Sequence, residues 1–571
     1  MECRSSITCW FLALSIGLVF TPLSFAKKTG DFSYEEWRAK LRQQGLFDET
    51  IMVPMRDGVH LATTIHKLSP IGSYPTILIR TPYGKDDERL EELELVIFLG
   101  YAVVIQDVRG RYGSEGDDMV FVNDGWGELQ DGYDTVEWIA QQSWSNGKVG
   151  TWGPSAMGIV QGLMAPARPP HLVCQVIGFS ASEGYGQAAY QSGVFRQSLV
   201  NGWLNGINSI HLLPIMKEHP FFDAFWEQMD VESKYPEINT PALIIGGWYD
   251  CFQQGTLNDF VGRQYNGMPG ALGKQKLVIG PWTHTNEWDQ QQGQLTFPED
   301  SQFDDEIEYT LEWFNYWLKD SDSAIMDEPA VRYYVMGDVT DVNAPGNEWR
   351  TSNQWPIVEQ DAAFYLQADG SLSRSVSVPG SFELTMTLGN PVPTTGGANL
   401  EIAAGPYDQG ALESRNDVWV FSTAPLQEAI EITGRVHLTL YAESNLTDND
   451  LTVRFTDVYP DGRSMLVCDG VARASLRESF SSPSPITPGE IYAYDVDCWS
   501  TSLVVNKGHR LRILAANTNY PRFEINSVYQ QLGQNGLPTS SITRIYTSPD
   551  YPSALYLPIV NDTGIHNWVM Q

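Results

Sequence analysis

The segment Lys148-Val-Gly-Thr-Trp-Gly-Pro-Ser-Ala-Met-Gly158 constrains the fold more than any other stretch of this chain. Ser155 sits among small residues, directly after one short apolar run and directly before another, Ile159 to Met164. A strand that stops at Gly-Pro-Ser and restarts as a helix needs a sharp turn. Small neighbours leave room for that turn, and the serine at its apex is driven into strained backbone with its hydroxyl projecting outward. The helix start behind it favours developing negative charge. The closing glycine falls one place late, because Met157 fills the usual position and Gly158 follows.

Two further segments supply partners in chain order. Thr240-Pro-Ala-Leu-Ile-Ile-Gly-Gly-Trp-Tyr-Asp250 reads as a strand covered on both faces that ends in an acid. Lys276-Leu-Val-Ile-Gly-Pro-Trp-Thr-His284 reads as another buried strand, then a Gly-Pro turn, then a histidine. The order Ser, Asp, His, each just past a strand end, is that of an α/β-hydrolase. Strand C-terminal ends are where open α/β sheets place ligands. In such a site His284 takes the proton of Ser155, and Asp250 fixes the imidazole tautomer. The bland alternatives are a turn-capping Asp250 and a solvated loop His284. An oxyanion needs donors as well. The backbone N–H of Ala156 is one candidate, and the phenol of Tyr83 in Ile77-Leu-Ile-Arg-Thr-Pro-Tyr-Gly84 is the other, since that loop lacks a glycine run. Tyr83 as a buried turn aromatic is the competing reading.

Several blocks run in one order along the first half of the chain: Met55-Arg-Asp-Gly-Val59, Arg80-Thr-Pro-Tyr83, Gln106-Asp-Val-Arg-Gly-Arg-Tyr-Gly-Ser-Glu-Gly116 and Asp131-Gly-Tyr-Asp-Thr-Val-Glu-Trp138. Gly153-Pro-Ser-Ala-Met-Gly158, Gly247-Trp-Tyr-Asp250 and Gly280-Pro-Trp-Thr-His284 complete the series. In these blocks the chain resembles the cocaine-esterase and X-prolyl dipeptidyl-peptidase family of serine hydrolases, which also holds α-amino-acid ester hydrolases and glutaryl acylases. The resemblance implies a triad of Ser155, Asp250 and His284 and an oxyanion donor at Tyr83. It also implies the late glycine, a helical cap and a C-terminal jelly roll.

The residue pattern divides the chain accordingly. Alternating strand-like and helix-like runs over 27–182 predict the first part of a mostly parallel sheet domain. Aromatic and aliphatic residues at helical spacing over 183–237 predict an inserted cap, shorter than most in the family and therefore over a more open pocket. The sheet domain resumes over 238–349, with a closing helix at Asp305 to Lys319. Short strands with turns such as Pro460-Asp-Gly462 predict a sandwich over 350–571. The expected fold is thus an α/β-hydrolase sheet with an inserted helical cap and a C-terminal all-β jelly-roll sandwich. A length of 571 residues is too great for a single core.

A net charge of −34 excludes nucleic acid as a partner and disfavours anionic membranes. Residues 1–26 read as a signal peptide, with Arg4, an apolar run from Trp10 to Phe20 and Ser24-Phe-Ala26, so the chain is expected to be exported to the periplasm or medium. An uncleaved anchor is the alternative. Four cysteines then remain, Cys174, Cys251, Cys468 and Cys498, with no metal-site spacing. Cys468 and Cys498 could pair. No metal and no cofactor is expected, and a homodimer is left open.

The expected reaction is acyl transfer from a small ester or peptide substrate to water. Cys251, Phe252 and Gln253 stand where the amino-ester hydrolases carry acids, which favours an esterase or acylase. Asp259 or Glu183 could replace those acids. Trp152, Trp248, Phe252 and Trp282 are the candidate lining of an apolar acyl pocket. An X-Pro dipeptidyl-peptidase and an inactive glycan-binding protein are the alternative functions.

Overall fold

The computed structural model describes residues 47–86, 93–119, 121–357, 361–386, 388–534 and 537–560. The expected signal peptide lies outside them. Among the described residues, ten strands form one sheet. They are β1 (Phe47–Pro54), β2 (His60–Lys67), β3 (Tyr74–Thr81), β4 (Ala102–Asp107) and β5 (Ser145–Pro154). Then come β6 (Leu172–Gly178), β7 (Ala242–Gly247), β8 (Lys276–Gly280), β9 (Val331–Val335) and β10 (Glu348–Ser352). Their spatial order is β1-β2-β4-β3-β5-β6-β7-β8-β9-β10. The pairs from β4 through β9 are parallel, and the pairs at the two edges are antiparallel. Central strands β4, β7 and β8 are buried along their whole length, as expected of apolar strands covered on both faces. The last strand, β10, crosses the expected domain boundary at 349. Its partner is β9, so residues up to Ser352 belong to the sheet.

Helices α1 (Asp131–Ala140), α2 (Ala156–Met164), α3 (Gln197–Gly206), α4 (Gln253–Asn266) and α5 (Glu306–Lys319) follow. The α5 face carrying Leu311 and Phe314 is buried under the sheet. The inserted segment contains α3, several short helical turns and a small hairpin pairing Tyr190 with Phe195. It packs Tyr185, Tyr190, Phe195 and Trp226 into one aromatic cluster with Ala156 and Val160 of α2.

The sequence blocks meet in buried and part-buried ion pairs. Arg109 donates to Asp131 at 2.7 Å and to Asp57 at 2.7 Å, which joins three of the sequence blocks. Arg80 pairs with Asp124 beneath the sheet edge. Charges removed from water must be paired, so these blocks specify the frame rather than the chemistry.

The C-terminal region is all antiparallel. A seven-stranded sheet contains β11 (Ile430–Ser444) and β14 (Tyr492–Val505), and a four-stranded sheet contains β12 (Asp450–Val458) and β13 (Ser464–Arg473). Alternate residues of β11, including Val436, Leu438 and Leu440, point into the shared core. Among the described residues the four cysteines are buried free thiols, and Cys468 and Cys498 contact each other across the two sheets as a thiol pair. No described helix is long and apolar enough to cross a membrane.

Candidate active site

Ser155 stands between β5 and α2 with φ +59°. Such a backbone is uncommon for a residue with a side chain and requires support from its surroundings. Ser155 N donates to Gly178 O on the neighbouring strand at 2.9 Å, which holds the turn against β6. The late glycine has a geometric cause. A Cβ at Gly158 would lie 2.8 Å from Ser180 Cβ and 3.1 Å from Gly178 O, so α2 can approach the end of β6 only without a side chain there.

His284 lies just past β8 and Asp250 just past β7, as the apolar runs before them imply. His284 Nε2 is 2.9 Å from Ser155 Oγ, and His284 Nδ1 is 2.6 Å from Asp250 Oδ1. All three are buried, with 7 %, 8 % and 0 % exposure for Ser155, His284 and Asp250. The two short contacts suit a proton on Nδ1 and a lone pair on Nε2 facing the hydroxyl. The edges of Phe179 and Phe252 flank the imidazole, and Cys251 Sγ lies 3.6 Å from Nδ1. Asp250, Cys251 and His284 are close enough to surround a cation. The 2.6 Å Asp250–His284 contact already occupies the gap, and burial raises the Cys251 thiol well above its ordinary value, which opposes the thiolate a metal needs.

Ala156 opens α2, where the first N–H groups have no partner within the helix. Tyr83 follows β3, and the parallel register pairs Leu78 with Thr151. The chain after β3 therefore leaves the sheet at the level of Ser155 and Ala156. Tyr83 N donates to Thr81 Oγ1 at 3.0 Å, and Tyr83 Oη accepts from Trp203 Nε1 at 3.2 Å.

Ser155 opens into a cavity walled by side chains from several elements. Phe252 is part of its wall. The assignments of Trp152, Trp248 and Trp282 to that wall are corrected. Trp152 packs edge-on against Phe314 of α5, on the opposite face of the sheet from the cavity. Trp248 donates to Tyr334 O and lies against Trp355. Trp282 donates to Ser301 O and stacks on Phe303. Each indole fills core, and those of Trp248 and Trp282 satisfy their N–H groups there. The cavity wall comes instead from α2 and the inserted segment, through Ile159, Leu199, Trp203, Phe225 and Met229, and from Leu400 of the C-terminal region. The aromatic spacing over 183–237 was the sequence signal for the first group. Leu400 carried none.

Glu183 is the one carboxyl in that wall. Burial pushes it up to about 8, even though the N–H groups of Gly186 and Tyr185 donate to it. Asp259 faces away, buried on α4 against Arg263 at 2.7 Å. Glu287, three residues past His284, is buried beside Glu306, and burial with that neighbour raises its carboxyl well above the ordinary range.

Comparison with known proteins agrees with this arrangement. Residues 57–213 and 208–286 match the profile of X-Pro dipeptidyl-peptidase (S15 family), and residues 323–556 match its X-Pro dipeptidyl-peptidase C-terminal non-catalytic domain. Cocaine esterase of Rhodococcus sp. (strain MB1 Bresler) is 30% identical over 89% of this chain and 98% of its own length. The chain belongs to the cocaine esterase and X-Pro dipeptidyl-peptidase family of serine hydrolases. Among solved structures, an α-amino acid ester hydrolase superposes with a TM-score of 0.79 at 25% identity, covering 90% of this chain and 97% of that one. An aminopeptidase from a marine sediment Thaumarchaeota archaeon gives 0.78 at 24% identity over the same shares, a likeness of fold. The chain is therefore a hydrolase of the serine esterase and peptidase type, built as an α/β-hydrolase with a C-terminal all-β domain.

Proposed function

We propose that this enzyme cleaves esters of apolar carboxylic acids through an acyl-Ser155 intermediate. The carrying observation is the contact chain Ser155 Oγ, His284 Nε2, His284 Nδ1, Asp250 Oδ1 at 2.9 and 2.6 Å. Ser155 Oγ attacks the acyl carbon while its proton passes to His284 Nε2. The carbonyl π pair moves onto oxygen, where Ala156 N–H and the Tyr83 phenol donate to it. Collapse breaks the bond to the leaving group, which takes the proton from Nε2. Water then repeats the cycle, releasing the acid and restoring Ser155. Asp250 holds the imidazolium throughout.

The nearly all-apolar cavity wall supports an apolar acyl group. An ammonium would need an ionised carboxylate, and Glu183 is neutral-favoured with both oxygens already accepting backbone N–H groups. The dipeptidyl-peptidase reading retains one observation. Glu401, next to Leu400, has a half-buried carboxyl raised by burial and opposed by nearby His284. Turnover of p-nitrophenyl acyl esters against Ala-Pro-p-nitroanilide decides between the two. Ester turnover alone is expected, and anilide turnover alone overturns it. Ser155→Ala should abolish both turnover and labelling by a fluorophosphonate probe; retention of either removes Ser155 as nucleophile. For export, we propose cleavage after Ala26, which N-terminal sequencing of the mature protein checks.

A further inference from the structure

We infer that Trp203 is a positioning residue for the oxyanion donor Tyr83, an inference that rests on the Ser155 mechanism above. Trp203 lies on α3, far along the chain from the sheet, and its indole forms part of the cavity wall stacked against Phe121, with ring centres 5.6 Å apart. One edge of the same indole reaches out of the wall, and its N–H donates to Tyr83 Oη at 3.2 Å. An indole N–H is a donor only. Tyr83 is therefore the acceptor in this contact, and its own hydroxyl hydrogen must be directed elsewhere. A phenol whose oxygen accepts one hydrogen bond is a stronger donor in the next, because linked hydrogen bonds polarise one another.

The placement suits the chemistry. Tyr83 leaves β3 beside the β5 end that carries Ser155 and Ala156, which puts the residue on the side of the sheet where negative charge develops. Stacking on Phe121 and packing in the cap core fix the indole plane, and that plane sets the direction from which Tyr83 Oη accepts. The N–H matters most when the oxyanion forms, so its loss belongs in kcat rather than in KM. Tyr83 and Trp203 come from separate elements, the sheet and the cap. The hydrogen bond is thus also the point at which the cap contributes to the reacting site.

The test is a double-mutant cycle on p-nitrophenyl esters. Tyr83→Phe alone should lower kcat about 10²- to 10³-fold. Trp203→Phe keeps an aromatic wall and removes the N–H, and should lower kcat about five- to ten-fold with KM changed less than about two-fold. In the Tyr83→Phe background, Trp203→Phe should cause no further loss of kcat. Equal losses in both backgrounds would mean that Trp203 acts on the cavity and not through Tyr83, and full kcat in Trp203→Phe would equally overturn the inference. An unchanged rate in Tyr83→Phe would remove the donor itself, and with it this role for Trp203, while leaving the triad standing. Should Trp203→Phe fold poorly, replacing Trp203 by β-(3-benzothienyl)alanine, which has the indole shape without the N–H, gives the same comparison. A rate equal to that of the native enzyme there overturns the inference.

Discussion

Glu183 poses the sharpest electrostatic question at the level of single residues. Its carboxyl faces an otherwise apolar wall and is held up to about 8 by burial, against an ordinary value of 4.5. The folded state therefore keeps a proton that the unfolded chain releases above pH 4.5. That contribution to stability is fully present below the unfolded value and is lost as pH rises towards about 8. Glu183→Gln should accordingly flatten the pH dependence of stability between pH 5 and 8, by about 1 kcal/mol per pH unit. Urea midpoints of both proteins across that range check this, and parallel curves would refute it. Above pH 8 the same carboxylate would put charge in the cavity, so KM for neutral esters should rise in the native enzyme and not in the variant.

Among the elements, the start of α3 does the most to join the parts. Arg196 precedes that helix and is fully buried. It donates to Gln187 O in the cap, to Cys251 O beside Asp250 at 2.9 Å, and to Ala398 O of the C-terminal region at 3.4 Å. Its guanidinium also lies over the Trp499 ring at 5.4 Å. Burial pulls its pKa down to about 10, so it stays a cation at neutral pH. Carbonyls replace the carboxylate a buried cation usually has. Arg196→Met would leave buried carbonyl oxygens unpaired, at an expected cost of roughly 3 kcal/mol. Since Cys251 O is one of them, kcat should fall as well, through displacement of Asp250. Urea unfolding together with kcat measures both; a loss below about 0.5 kcal/mol would show that the linkage carries little.

At the scale of the whole molecule, the C-terminal sandwich completes the cavity at Ser155. Leu400 is part of the wall, and Glu401 next to it packs against Gly202 of α3. Further ties run from α4, where Gln253 donates to Ser500 O and Gln254 accepts from Ser500 Oγ, both at 2.9 Å. The sandwich thus braces the loop that carries Asp250 and also limits acyl size. Leu400→Trp should lower kcat/KM at least about ten-fold for an ester with a bulky acyl group. The acetyl ester should change less than about three-fold, because a small acyl group need not reach that wall. Equal losses for both esters would show a general disturbance instead.

Ser155, Asp250 and His284 were legible in the sequence because each ends a short buried strand, and strand, turn and helix-start signals are local. The glycine at position 158 was legible as a displaced motif, but its reason, the approach of α2 to Ser180, needed coordinates. The cavity lining was legible only in part, through Phe252 and the aromatic spacing of the cap. Trp152, Trp248 and Trp282 stand in the same motifs as Ser155, Asp250 and His284, yet a ring next to such a residue in sequence can face either side of a sheet. Packing partners such as Phe314, Trp355 and Phe303 decide which. Trp203 and Leu400 are the converse case, since only the docking of cap and sandwich onto the sheet brings them to Ser155. The sequence by itself determined the strand ends and therefore where Ser155, Asp250 and His284 stand. The tertiary structure alone decided the shape of the cavity and the support of Tyr83, because those depend on contacts between segments with no local signal for one another.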